Sequence, residues 1–234
     1  MEFFENGHPA GADIEIASEV ANRLGLEARF VDQAVAGIVD ALYAGRSDLI
    51  INAFTDNAVR RKRLTFVDYL SVGQTVLLNT GGGLRLSKPK DLAGHKIAVQ
   101  GDTSNEQDLI ALDASNQEGG LPPMWIAAFR GTTGESTGRA VAALRSGEAD
   151  AYFVDVISAM WNSKRFGDVK PSELLVNEEP YGIAFRKADV RLQEAVQAAV
   201  KDMYRDGSMH EILSRWDLVS VALPDAEQVR ISSG

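Results

Sequence analysis

Lys96-Ile97-Ala98-Val99-Gln100-Gly101-Asp102-Thr103-Ser104-Asn105-Glu106 reads as a strand that turns directly into a helix. Lys96 to Gln100 is the strand, and Thr103 or Ser104 can cap the helix that follows. The open N–H groups of such a turn, with the positive end of the helix behind them, suit a bound carboxylate. An ordinary N-cap is the plainer alternative. Two more buried runs end in a charged residue. Ala151-Tyr152-Phe153-Val154 runs straight into Asp155, and Asp48-Leu49-Ile50-Ile51-Asn52 runs into a loop that reaches Arg60.

Around these stretches strands and helices alternate. Asp13 is expected to cap a helix in which Ile16, Val20, Ala21 and Leu24 share a face, and Gly25 stops it. Ala28 to Val31 is a short predicted strand, Ile38 to Ala44 a helix ended by Gly45, and Asp48 to Asn52 the next strand. After the loop Thr80-Gly81-Gly82-Gly83 come strands at Lys96 to Gln100 and Met124 to Phe129. A helix over Arg139 to Arg145 and the strand Ala151 to Val154 follow. A long amphipathic helix then presents Leu192, Ala195, Val196, Ala199, Val200 and Met203 on one face. Asp206-Gly207 breaks it, and a short helix carries Ile212, Leu213 and Trp216. Leu223 to Gly234 is polar and is expected to be a loosely held tail. This order predicts an α/β fold with mostly parallel sheets flanked by helices. In such sheets ligands sit outside the carboxyl ends of the strands. The positions that follow are Thr55 and Arg60, Gly101 to Ser104, and Asp155.

Composition narrows the chemistry. The chain has 234 residues, 45% of them hydrophobic, enough for a full core and for two lobes. A net charge of −9 argues against a nucleic-acid or anionic-membrane surface. Cysteine is absent, so disulfides, thiolate metal sites and cysteine nucleophiles are excluded. His8, His95 and His210 lack metal-ligand spacing, and neither metal nor cofactor is implied. No apolar run approaches the roughly 20 residues needed to span a bilayer. Met1 is followed by neither a charged n-region nor an apolar h-region, so a signal segment is expected to be absent or already removed. In the basic run Arg60-Arg61-Lys62-Arg63, all but Arg60 are expected to be a solvated helix end. A guanidinium binds a carboxylate bidentately, and a carboxylate accepts from an ammonium. Arg60 and Asp155 facing each other across a cleft would hold the zwitterionic end of a free amino acid.

Five segments in order resemble the periplasmic amino-acid-binding proteins of ABC transporters, the two-lobed type II solute-binding fold of family 3. They are FFENGHPAGADIEIASEVANRLG, DLIINAFTDNAVRRKRLTFVDYL, KDLAGHKIAVQGDTSNE, AVAALRSGEADAYFVD and EEPYGIAFRKADVRLQEAVQAAVKDMYRDGSMHEILSRW. By position, the resemblance implies that Arg60 binds the ligand α-carboxylate, with Thr103 and nearby amides of Gly101, Asp102 and Ser104 assisting. It implies that Asp155 accepts from the α-ammonium, with Thr55 and the backbone at Asn52 and Ala53 completing that shell. Lobe one would be residues 1–70 and 182–234 and lobe two residues 75–176, with hinges near Leu70–Gln74 and Asn177–Tyr181. The implied mechanism is closure of the lobes over the ligand. The implied product is a monomer, periplasmic or extracellular, that delivers a small polar amino acid to a permease.

The chain also departs from that pattern. The family's usual first strand and its aromatic loop are missing upstream of Met1. Truncation is one account, and replacement by Glu227-Gln228-Val229-Arg230-Ile231-Ser232 is another. Val35 stands where a second aromatic is common, which leaves Phe54 as the aromatic near the ligand or as a core residue. Asp102 replaces a threonine, and Val67, Tyr69 and Leu70 replace the usual S-x-P-Y residues. The alternative on the same fold is a cyclohexadienyl (arogenate/prephenate) dehydratase, with Glu178 or Glu179 as a desolvated general acid. Pro180 stands where the accompanying lysine is expected. Gly134-Glu135-Ser136-Thr137-Gly138 fits a hydrolase elbow, but Arg130 to Glu135 separates its serine from the strand.

Overall fold

A strand of 16 residues, Leu64–Asn79, is the backbone of the molecule, and nearly every one of its side chains is buried. The structure, a computed structural model, describes residues 1, 3–5 and 7–234. The chain opens with β1 (Phe3–Glu5) and β2 (His8–Ala10), then the helices α1 (Ala12–Arg23), α2 (Ile38–Tyr43) and α3 (Ala58–Arg61), then β3 (Leu64–Asn79). The middle holds β4 (Lys96–Gln100), α4 (Ser104–Glu118), β5 (Trp125–Phe129), α5 (Thr133–Ser146), β6 (Ala151–Asp155), α6 (Val156–Phe166) and β7 (Val169–Pro171). Last come β8 (Val176–Arg186), α7 (Val190–Asp206), α8 (Ser208–Arg215) and β9 (Ile231–Ser233).

The chain divides into two compact units. Unit 1 comprises Met1–Asp32, Gly37–Ser71 and Glu179–Gly234; unit 2 comprises Gln33–Ala36 and Val72–Glu178.

Unit 2 is built around a sheet of order β5-β4-β6-β3-β7. β4 runs parallel to both β5 and β6, whereas β3 is antiparallel to β6 and β7. Alternation along the strands sends residues to two cores. Val76, Ile97, Val99 and Phe153 pack on one face with Leu109 of α4. Leu77, Ala98, Tyr152 and Val154 pack on the other with Ala140 and Leu144 of α5 and Ala159 of α6. Because both faces are covered, the strands read as continuous apolar runs. The exits of β5, β4 and β6 therefore lie side by side at one edge.

In unit 1 the first half of β3 pairs with β8 and, antiparallel, with β9 at Thr65↔Ser233, Phe66↔Ser232 and Val67↔Ile231. The expected tail is thus a sheet strand, preceded by a fully buried Val229 and tied by the Asp68 N–H to the Arg230 carbonyl at 3.0 Å. Leu42, Ile50, Phe54, Leu64, Phe66 and Ala184 form one core. The amphipathic α7 buries Val196, Ala199, Val200 and Met203 and packs against α1 and α8.

Three local expectations fail here. Ala28 to Val31 has no regular structure, and Phe30 and Val31 are 38% and 60% exposed. A strand needs a hydrogen-bonding neighbour, and among the described residues none pairs with it. Asp48 to Asn52 reduces to a single bridge, Ile50↔Ala184. Asp13 does not cap α1: Gly11 holds the cap position, and Asp13 lies inside the first turn, fully buried.

Candidate functional site

The unit 1 residues form a short loop held from several directions. Ala53 adopts φ 54°, a left-handed conformation that a side chain with a Cβ disfavours. Its N–H donates to Asp13 Oδ2 at 2.7 Å, and the Tyr69 hydroxyl donates to Asp13 Oδ1 at 2.7 Å. A carboxylate in the first turn of α1 is further favoured by the positive helix end. Beside Ala53, Asn52 Oδ1 is buried without a hydrogen-bond partner among the described residues. Phe54 is only 5% exposed and stacks on Phe66, with ring centroids 6.1 Å apart. It is a core residue, yet its outer face carries the Arg60 guanidinium 3.7 Å from the ring centroid.

Asn57 caps α3 by accepting from the Arg60 N–H at 3.0 Å, and Arg60 Nη1 donates to the Thr55 carbonyl at 2.7 Å. The guanidinium is thereby held between an aromatic face and a carbonyl. Thr55 itself is buried and bridges to Tyr181. Arg61, expected in solvent, instead donates to the buried Asp56 at 2.7 Å. Asp56 also accepts from the Ser232 hydroxyl of β9. Nearby Asp68 is pushed up to about 7, first by burial and then by the charge of Asp56 and a hydrogen bond with it.

The unit 2 residues sit at the shared strand edge. Thr103 is the N-cap of α4, accepting from the Glu106 N–H at 3.3 Å while its hydroxyl donates to the Gln100 carbonyl at 2.7 Å. Asp102 has φ 63°, and its N–H donates to the Glu106 carboxylate at 2.7 Å. Two donors of the turn are therefore engaged internally. Ser104 is buried at the start of α4. The Gly101 N–H donates to the Phe129 carbonyl at 2.8 Å. Arg130, leaving β5, donates from Nε to Asp102 at 3.2 Å and from Nη2 to Glu106 at 2.7 Å.

At the neighbouring exit Asp155 caps α6, accepting from the Ser158 N–H at 2.7 Å and the Ser158 hydroxyl at 2.9 Å. Its charge, after burial itself, raises the pKa of the fully buried Tyr152 phenol. Opposite Asp155 on β3 lies the buried Gln74. Its amide donates to Asn105 at 2.8 Å and Asp108 at 2.6 Å, and accepts from Asn177 at 3.1 Å. Gln74 thus locks the first turns of α4 to the strand beside Asp155.

Asp13, Gln74 and Arg130 escaped the sequence reading. Asp13 was visible only as a helix-start acid, and nothing local marks the other two. Of the two candidate general acids Glu178 is exposed, which removes the desolvation that such a group would need, and Glu179 is half-buried. Ser136 is fully buried inside α5 and donates to the Thr132 carbonyl at 2.8 Å, a geometry unlike an exposed nucleophile. Among the described residues no group of three His, Asp or Glu could hold a metal.

Comparison with known proteins identifies the family and the fold. Residues 1–219 match the family described as bacterial extracellular solute-binding proteins, family 3. The ABC transporter glutamine-binding protein GlnH of Bacillus subtilis is 27% identical over 215 residues, 90% of this chain and 74% of GlnH. A mutant of ArgBP from T. maritima is similar in structure with a TM-score of 0.82 at 28% identity, over 92% of this chain and 89% of that one. The ancestral amino acid-binding protein AncCDT-1, a precursor of cyclohexadienyl dehydratase, gives 0.81 at 30% identity over 92% and 89%.

Proposed function

The chain belongs to the bacterial extracellular solute-binding proteins, family 3, and from that premise we propose that it captures a free amino acid and delivers it to an ABC permease. The observation that carries this reading is the mounting of Arg60. A guanidinium held against Phe54 and at the Thr55 carbonyl carries the charge and the planar donors that recognise a carboxylate. Asp155 accepts from the ligand ammonium, and the buried Asn52 Oδ1 and the carbonyls around Ala53 add acceptors to that shell. On the carboxylate side the turn after β4 contributes at Thr103, the Gly101 and Asp102 amides being engaged within unit 2. The ligand is a small polar amino acid, consistent with the glutamine named for GlnH. The protein acts as a periplasmic or extracellular monomer.

No catalytic step is needed. AncCDT-1 is itself an amino acid-binding protein, and the family match and the glutamine-binding relative support binding over dehydration. A thermal-shift screen against the common amino acids tests the proposal, because a ligand that binds only the folded state raises Tm by mass action. A rise with one or a few polar amino acids is expected. No rise with any of them, or release of an aromatic product from prephenate or arogenate, would refute it.

A further inference from the structure

We propose that Arg130 is a specificity-determining residue that turns the unit 2 end of the binding site away from amino acids with cationic side chains. The proposal rests on the reading that the turn after β4 contacts the ligand. β5 and β4 are parallel neighbours with Gln100 opposite Phe129, so the next residues, Gly101 and Arg130, emerge together at the edge that also carries Asp155. Asp102 and Glu106 bring two carboxylates to this edge, and Arg130 bonds one oxygen of each. The Asp102 N–H closes the triangle on Glu106.

Gly101 makes the arrangement possible. A Cβ at that position would lie 2.6 Å from Arg130 Cγ, so only a residue without one lets the arginine lie against the turn. With Arg130 in place the cluster of two acids and one base carries a charge of −1 instead of −2, and its most directional acceptors are occupied. A neutral side chain is indifferent to that change. A guanidinium or ammonium loses an attraction and meets a like charge.

The test is calorimetric titration with L-glutamine and L-arginine as probes, read as the ratio of their dissociation constants. Arg130→Gln should shift the ratio toward arginine by about five- to tenfold at low ionic strength, since an unmasked charge several ångströms away acts through a high effective dielectric. The shift should shrink in high salt. Arg130→Lys should keep the native ratio. Adding Asp102→Asn and Glu106→Gln to Arg130→Gln should return it. An unchanged ratio in Arg130→Gln, or equal weakening of both ligands, would overturn the proposal and leave the underlying site intact. Failure of the site itself would show separately, as Arg60→Ala binding both probes like the parent protein.

Discussion

In unit 2 the candidate ligand groups are fixed by bonds three residues long: Thr103 to Glu106, and Asp155 to Ser158. In unit 1 Arg60 is also held locally, by Asn57 and the Thr55 carbonyl, but the loop that leads to it is fixed by partners far away in sequence. Ala53 is held by Asp13, 40 positions earlier, and Asp56, at the start of the Arg60 turn, by Ser232, 176 positions later. One half is assembled by helix capping after strand exits, the other by buried side chains that only the finished fold brings together. The first should tolerate a change that keeps the cap. The second should fail when a single distant acid is lost.

The largest effect is therefore expected at Asp13. Asp13→Ala would remove the acceptor of the Ala53 N–H and of the Tyr69 hydroxyl, at a cost of about 3–4 kcal/mol in urea unfolding. A loss below about 1 kcal/mol would mean that water enters and the loop is held by something else.

Next comes Asp68. Its folded-state pKa is raised to about 7 from the ordinary 3.8, so the fold keeps a proton that the unfolded chain gives up. Its contribution is fully present below about pH 4 and is lost as pH rises through about 7. Asp68→Asn keeps the neutral form at every pH. It should be more stable than the parent protein at pH 8, by on the order of 1–3 kcal/mol, with the gap closing toward pH 5. Parallel Tm curves from pH 5 to 8 would contradict the raised pKa of Asp68.

Thr103→Ala should cost about 1 kcal/mol, the usual loss of an N-cap. Smallest is Asp155→Ser, which replaces one good cap by another and should alter stability by less than about 0.5 kcal/mol. A drop as large as that for Asp13→Ala would erase the contrast between the two units.

The same contrast explains what could be read from the residues alone. Lys96 to Gln100, Ala151 to Asp155 and the α7 face were legible because each signal is local: a run of apolar residues, a capping side chain, a 3.6-residue period. Asp155 could be singled out because it ends such a run. Ala28 to Val31 has the composition of a strand, but pairing is decided by a neighbour, and that information does not lie within those four residues. The polar Leu223 to Gly234 segment failed in the opposite sense. Its strand is anchored by the Arg230 carbonyl and the Ser232 hydroxyl, contacts to Asp68 and Asp56 that no window of adjacent residues contains. Phe54 carried two incompatible expectations, core and ligand contact, and is core on one face while supporting Arg60 on the other.

The central proposal is that Arg60 and Asp155 each recognise a charged end of the amino acid ligand. Its most direct test is calorimetric titration of Arg60→Ala and Asp155→Ser with whichever amino acid raises Tm most. Both variants should fold, and each should weaken binding by about a hundredfold or more, the usual scale for removing one member of a hydrogen-bonded charge pair. A dissociation constant within twofold of the parent value in either variant would contradict the account.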